Sequence, residues 1–270
     1  MKKKLFILVA LCVICSAAAN ALDIRYMGSG PWETEANWQG GVMPGVNDAA
    51  RFNWGDNTVT VSTAVGTVDR IQAGVDEPGT LRILSGGTAS SGTWTGAGVA
   101  GNCIGTITVE AGGTLNTGVI TAGGGHLWVA MNDGGRPYGE NRGIVNISGI
   151  VNLAGNLGIG TLNAVTPSGG VGRVNVLAGG VLNLHHVNND LLVMGSIQPG
   201  SVLDITGGLV TLPGDWEAVM WAYVDVGKIT ADGGSGTVNV VFSGGRTLVT
   251  PEPITLSLLG LGALLLRRRS

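Results

Sequence analysis

One short pattern, a strand followed by Gly-Gly and a second strand, recurs along this chain and confines it to a stacked β architecture. Its clearest copy is residues 105–115, G-T-I-T-V-E-A-G-G-T-L. Ile107 and Val109 alternate with Thr106, Thr108 and Glu110, the period-two pattern of a strand with one dry face and one wet face. Gly112-Gly113 permits a positive-φ bend, and Thr114-Leu115 begins the next strand. Further copies are Leu81 and Ile83 before Gly86-Gly87, Val174 and Val176 before Gly179-Gly180, and Leu203 and Ile205 before Gly207-Gly208. Val238 and Val240 before Gly244-Gly245 reads as one more, and Val145-Asn146-Ile147 keeps only Gly149. Units spaced roughly 26 to 38 residues apart predict a β-solenoid, because no single unit can bury its own apolar face. Slight irregularity is expected at Val202-Leu203-Asp204-Ile205, where the register reads as shifted.

The 270 residues include 48 Gly, 15 Lys+Arg and 18 Asp+Glu. Abundant glycine with Val, Thr, Ile, Leu and Asn fits many short strands and tight turns, and the apolar alternation between glycines argues against disorder. Residues 22–250 hold nine Lys+Arg against seventeen Asp+Glu, a balance that disfavours nucleic acid as a partner.

At the start, Met1-Lys2-Lys3-Lys4 is a basic n-region, residues 5–15 an apolar h-region, and Ala19-Asn20-Ala21 an A-x-A cleavage site. Residues 1–21 are therefore read as a secretory signal peptide. Leu11 and Ile14 precede Cys12 and Cys15, where lipoprotein processing needs a small residue. Once the signal is removed only Cys103 is left, without an internal partner, and it reads as a small packed apolar residue.

Residues 22–78 carry Trp32, Trp38 and Trp54, with Pro44, Asp48, Ala50 and Phe52 following Trp38 in a W…NW..G..P…D.A.F pattern. This resembles the opening segment of secreted bacterial solenoid proteins, autotransporter passengers among them. The first rung of a stack lacks a neighbour on one side, so large rings suit a cap there. An aromatic platform for sugars is the competing reading of the same tryptophans. From 79 to 250 the repeats proper are expected. Shorter runs between them, Leu127-Trp128-Val129, Leu157-Gly158-Ile159-Gly160 and Leu191-Leu192-Val193-Met194-Gly195, would supply the other faces of each coil. Residues 217–224 are read as either a short capping helix or another strand.

Insertions in such folds gather on loops, so chemistry would sit there. Residues 130–142 contain Asp133, Arg136, Tyr138, Glu140 and Arg142, with His126 just before. An acid, a base and an arginine could serve β-elimination or hydrolysis of an acidic polysaccharide, but a solvated loop with its own salt links is the preferred reading. His185 and His186 are adjacent in a strand-like run and would point to opposite faces, which does not suit a shared metal. No catalytic-serine, zinc-protease or phosphate-loop motif occurs. No catalytic, cofactor-binding or metal-binding residue is assigned.

The tail, 251–270, carries the most specific motif. Pro251-Glu252-Pro253 precedes thirteen uncharged residues, 254–266, and then Arg267, Arg268 and Arg269. It resembles the PEP-CTERM sorting signal in content and order. The resemblance implies recognition by an exosortase-type membrane protease and release or attachment outside the cell. Thirteen residues give a helix of about 20 Å against a hydrocarbon core of about 30 Å, so a short transmembrane helix would be a marginal span. The arginines would remain cytoplasmic. The sequence thus predicts an all-β chain, a right-handed parallel β-helix-like solenoid flanked by a signal helix and a short transmembrane helix. It would be a cell-surface or matrix protein without catalytic function, associated with exopolysaccharide or adhesive. A β-helix lyase or hydrolase and a carbohydrate-binding module are the rival readings.

Overall fold

The computed structural model describes residues 22–118, 124–131, 141–163, 166–167, 170–185 and 197–252. The signal segment, Pro253 and the remainder of the tail lie outside them. Among the described residues the chain is all-β with parallel sheets, plus one α-helix, Glu217–Asp225.

Alternation drives the assembly. In Ile104–Val109 the residues Ile107 and Val109 are buried, while Thr106 and Thr108 are half-exposed. Strands of this kind stack in parallel register into an eight-stranded sheet, the first face. Val61, Ile83, Val109, Ile147, Val176 and Ile205 follow one another as register partners, all fully buried. A second column, Val59, Leu81, Ile107, Val145, Val174 and Leu203, lies beside it. Each such side chain contributes about 1.5–3 kcal/mol by leaving water, which makes these columns the main source of cohesion. Val202–Ile205 pairs residue for residue with 173–176, so the register shift expected there does not occur. Asp204 simply takes an outward position in the ladder, and Leu203 and Ile205 point inward.

The Gly-Gly corner leads from the first face into a twelve-stranded sheet. That sheet divides at Thr88–Ala100. Residues 88–91 pair with Thr114–Thr117 and so with the second-face strands Ile150–Leu153, Val181–Leu184 and Leu209–Pro213. Residues 94–97 pair with His126–Val129, which pairs with Leu157–Ile159. This other arm, with Asp23–Arg25, Ala49–Phe52 and Val68–Val75, is the third face. The runs at 127–129 and 157–159 thus supply a third face as expected. The run at 191–195 lies outside the described residues, and Ile197 bridges to Ile159.

At the N-terminal end Tyr26, Trp32, Trp38 and Phe52 form one buried ring cluster. Centroids lie 4.9 Å apart for Tyr26 and Trp38, 5.0 Å for Trp32 and Trp38 and 5.4 Å for Trp32 and Phe52, all edge-to-face. Trp38 Nε1 donates to the Trp32 carbonyl at 2.7 Å, which satisfies the one polar group of its ring. At the C-terminal end the helix Glu217–Asp225 buries Met220 and Tyr223 against the core.

The copy at 238–245 is not a coil. Val238–Ser243 and Arg246–Pro251 form an antiparallel hairpin, and Arg246–Pro251 lies antiparallel on Leu209–Pro213, which ends the parallel order. Backbone geometry separates the two uses of Gly-Gly. At 112–113 only Gly112 has positive φ, 80°, whereas Gly244 and Gly245 are both positive, 60° and 78°, as a two-residue hairpin turn requires.

Candidate functional site

Pro251 ends the last strand, paired with Val238, and the Glu252 amide donates to the Thr237 carbonyl at 2.8 Å. Proline has no N–H, and its fixed φ suits extended backbone, so it can close a strand without leaving a donor orphaned. Glu252 is exposed. Pro251 is therefore extended and half-buried in the sheet, and Glu252 stands in water. Pro253, Arg267, Arg268 and Arg269 lie outside the described residues. No helix among the described residues is long and apolar enough to cross a membrane.

Asp133, Arg136, Tyr138 and Glu140 also lie outside them. The flanking residues stand apart: His126 belongs to the third face, and Arg142 opens a strand of the first. His185 is exposed at the end of its second-face strand, and residues 186–190 lie outside the described set. Asp232 and Gly233 form a short turn that closes over Asp204. The Gly233 amide and the Thr230 hydroxyl donate to the Asp204 carboxylate at 3.0 and 2.6 Å, and the Thr206 hydroxyl at 3.1 Å. This carboxylate is committed to holding the C-terminal cap. Cys103 is buried, its thiol donating to the Ala100 carbonyl at 2.8 Å, and burial pushes its pKa up, so it holds no reactive thiolate. Among the described residues no three His, Cys, Asp or Glu side chains gather as a metal site.

Trp32 and Trp38 are buried in the cap, so neither offers a ring face to a sugar, and Trp54 stands exposed outside that cluster. The structure instead brings other aromatics together on the outside of the third face. There the outward positions form two columns. In one, Asp23, Ala49, Arg70, Trp94 and His126 succeed one another coil by coil. In the other the order is Arg25, Arg51, Gln72, Gly96, Trp128 and Gly158. Asp23 meets Arg51 at 2.7 Å and Arg70 at 3.9 Å, and Arg70 also binds Asp69 at 2.9 Å. Arg51 donates to the Gln72 side-chain carbonyl at 2.8 Å, and the Arg70 guanidinium lies 5.9 Å from the centre of the Trp94 ring. His126 and Trp128 stack obliquely at 5.1 Å. Both tryptophans are half-buried, with inner edges against Val75, Val99, Ala100 and Met131. His126 Nδ1 accepts from the Asn156 amide at 3.0 Å, and burial lowers its pKa, so the neutral ring carries its proton on Nε2.

Alternation already contained this strip. In H-L-W-V, Leu127 and Val129 point inward, which sends Trp128 outward. An aromatic residue on the wet parity of a strand is the signal that could have found it.

No family model, curated protein or solved structure matches this chain.

Proposed function

We propose that the chain is an exported structural protein of the cell surface or extracellular matrix, a β-solenoid of right-handed β-helix type sorted by its C-terminal segment. The supporting observation is the junction at Pro251. The last strand of the cap runs into the tripeptide without a linker, and the Glu252–Thr237 hydrogen bond closes the folded body immediately before the tail. A protease that recognises Pro251, Glu252 and Pro253 would thus meet the motif at the end of a rigid rod. The apolar run 254–266 would pause as a short transmembrane helix, with Arg267, Arg268 and Arg269 as a cytoplasmic stop. An exosortase-type enzyme would cut near the tripeptide and free the rod from its anchor. Once outside, the rod acts as a spacer or as an exopolysaccharide-associated or adhesive element.

Mass spectrometry of the surface fraction tests this. The expected protein begins at Leu22 and has lost the apolar tail. Deleting residues 251–253 is expected to leave a full-length, membrane-bound form, and replacing Arg267, Arg268 and Arg269 with Ser to let the chain slip through uncut. A surface protein still ending at Ser270 would overturn the reading.

A further inference from the structure

We infer that the outward strip of the third face, comprising Arg25, Arg51, Arg70, Trp94, His126 and Trp128, is a binding site for a linear polysaccharide that carries carboxylate groups. The inference deepens the reading above and rests on it only in placing the face outside the cell.

Charge singles out this face. Residues 22–250 carry a large acidic excess, yet three of their nine cationic side chains stand on three successive strands of this one face, against two aspartates, Asp23 and Asp69. Arg25 and Arg51 are direct register partners, and like charges opposite one another in a sheet are unfavourable. Asp23 offsets part of that repulsion at Arg51, and a ligand carboxylate reaching Arg25 adds charge-assisted hydrogen bonds beside it. The aspartates hold Arg51 and Arg70 in orientation, which lowers the entropy lost when an anion binds.

The aromatic half of the strip points to the same ligand. Trp94 and Trp128 keep part of their rings in solvent on the wet side of their strands, outside the main core. Their inner edges are held by Val75, Val99, Ala100 and Met131, so the rings are presented rigidly. A half-exposed indole anchored in this way suits the apolar face of a sugar ring. Neutral His126 adds an Nε2–H donor beside Trp128. Where the basic and aromatic halves meet lies Gln72, fully buried, its Nε2 without a hydrogen-bond partner. From Arg51 to Trp128 the strip rises three coils, about 14 Å at ~4.8 Å each, the scale of a short oligosaccharide. Stacking alone would suit a neutral glycan, and the arginines decide for an acidic one. A nucleic acid on the same face is the outcome that the oligonucleotide gel separates.

The test is affinity electrophoresis of the full chain through gels containing polygalacturonate, neutral dextran or single-stranded oligonucleotide. Retardation is expected in polygalacturonate alone, weakening as salt rises from low to physiological concentration. Trp128→Ala and Arg70→Gln should each weaken it about tenfold, the loss of one interface anchor. Trp128→Phe should retain most of it, and Trp54→Ala should leave it unchanged. A melting curve for each variant separates lost binding from lost fold. No retardation, equal retardation by dextran or oligonucleotide, or an equal effect of Trp54→Ala would overturn the inference. Tail processing is read separately by mass spectrometry, so either conclusion can fail while the other stands.

Discussion

Ala130 occupies, one coil on, the corner that Gly98 holds: Ala97 and Val129 are register partners, and the residues after them both turn at positive φ, 68° at Gly98 and 58° at Ala130. In the following coil Gly160 takes the same place at 79°. The corner thus demands a left-handed backbone, and one coil fills it with a residue that has a Cβ. That conformation costs an L-residue about 1–2 kcal/mol, of which a glycine, freer when unfolded, recovers all but about 0.4–1.

Ala130→Gly is therefore expected to leave stability unchanged or raise it by up to about 1 kcal/mol. The reverse change at Gly98 is a different matter, because a Cβ there would lie 2.3 Å from the Arg142 carbonyl oxygen. Gly98→Ala should lower stability by about 3 kcal/mol, combining strain with a backbone clash. Urea midpoints at constant slope are the measurement, and a Gly98→Ala protein matching wild type would refute the corner assignment.

The inward columns make the second prediction. Val176 is fully buried between Ile147 and Ile205. Val176→Asp places a carboxylate among aliphatic side chains, at a cost of about 3 kcal/mol or more, whereas Val176→Ile should cost less than about 1.5. An unfolding midpoint unmoved by Val176→Asp would contradict the stacked register.

Much of the fold was legible in the sequence, since alternation alone distinguishes Val109 from Thr108 and Leu127 from Trp128. What local pattern could not supply was the neighbouring coil. Gly113 is required because a Cβ there would meet the Ile83 carbonyl oxygen of the preceding coil at 2.6 Å, while Gly245 has nothing within 4 Å. The two Gly-Gly pairs read alike and serve unlike corners, so the hairpin at 238–251 passed for another repeat. Asp204 misled for a related reason. A buried acid in an apolar run reads as a slipped register until Thr230 and Gly233, on the next coil, are seen to satisfy it. Among the candidate sites, Trp94 and Trp128 were within reach of the pattern, but their alignment with Arg70 depends on register across coils.

Asp204 carries the third prediction. Its side chain is 5% exposed, with three protein groups donating to it and Arg173 3.7 Å away. Asp204→Asn keeps one acceptor oxygen for the Gly233 amide and the Thr230 hydroxyl, but it loses the charge and turns an amide donor toward the Thr206 hydroxyl and the Arg173 guanidinium. Stability should fall by about 1–3 kcal/mol, with the loss concentrated in the C-terminal cap. Hydrogen exchange should show Ile229–Ala231 and the Gly233 amide opening faster while Ile104–Val109 keeps its protection. A uniform acceleration through both regions would mean that Asp204 does not act as a local clasp.

The last prediction concerns His126. Burial lowers its folded pKa, and the Asn156 amide donates to Nδ1, a bond available only while that nitrogen is unprotonated. The nearest charged side chain in its column is Arg70, one position beyond Trp94, and a cation there also opposes protonation. The sign follows from linkage. With the folded pKa below the unfolded value near 6.5, the unfolded chain binds more protons between the two, so stability rises with pH across that interval. The contribution is complete above about pH 6.5 and is lost as pH falls through the depressed folded value. Between pH 7 and pH 5 the wild-type unfolding midpoint should therefore drop further than that of His126→Asn, which has no imidazole to titrate. Nitrogen-15 spectra of the folded protein should show the Nε2–H tautomer at pH 7 and a titration midpoint below 6.5. A midpoint at or above 6.5, or equal pH slopes for the two proteins, would disprove this account of the His126–Asn156 contact.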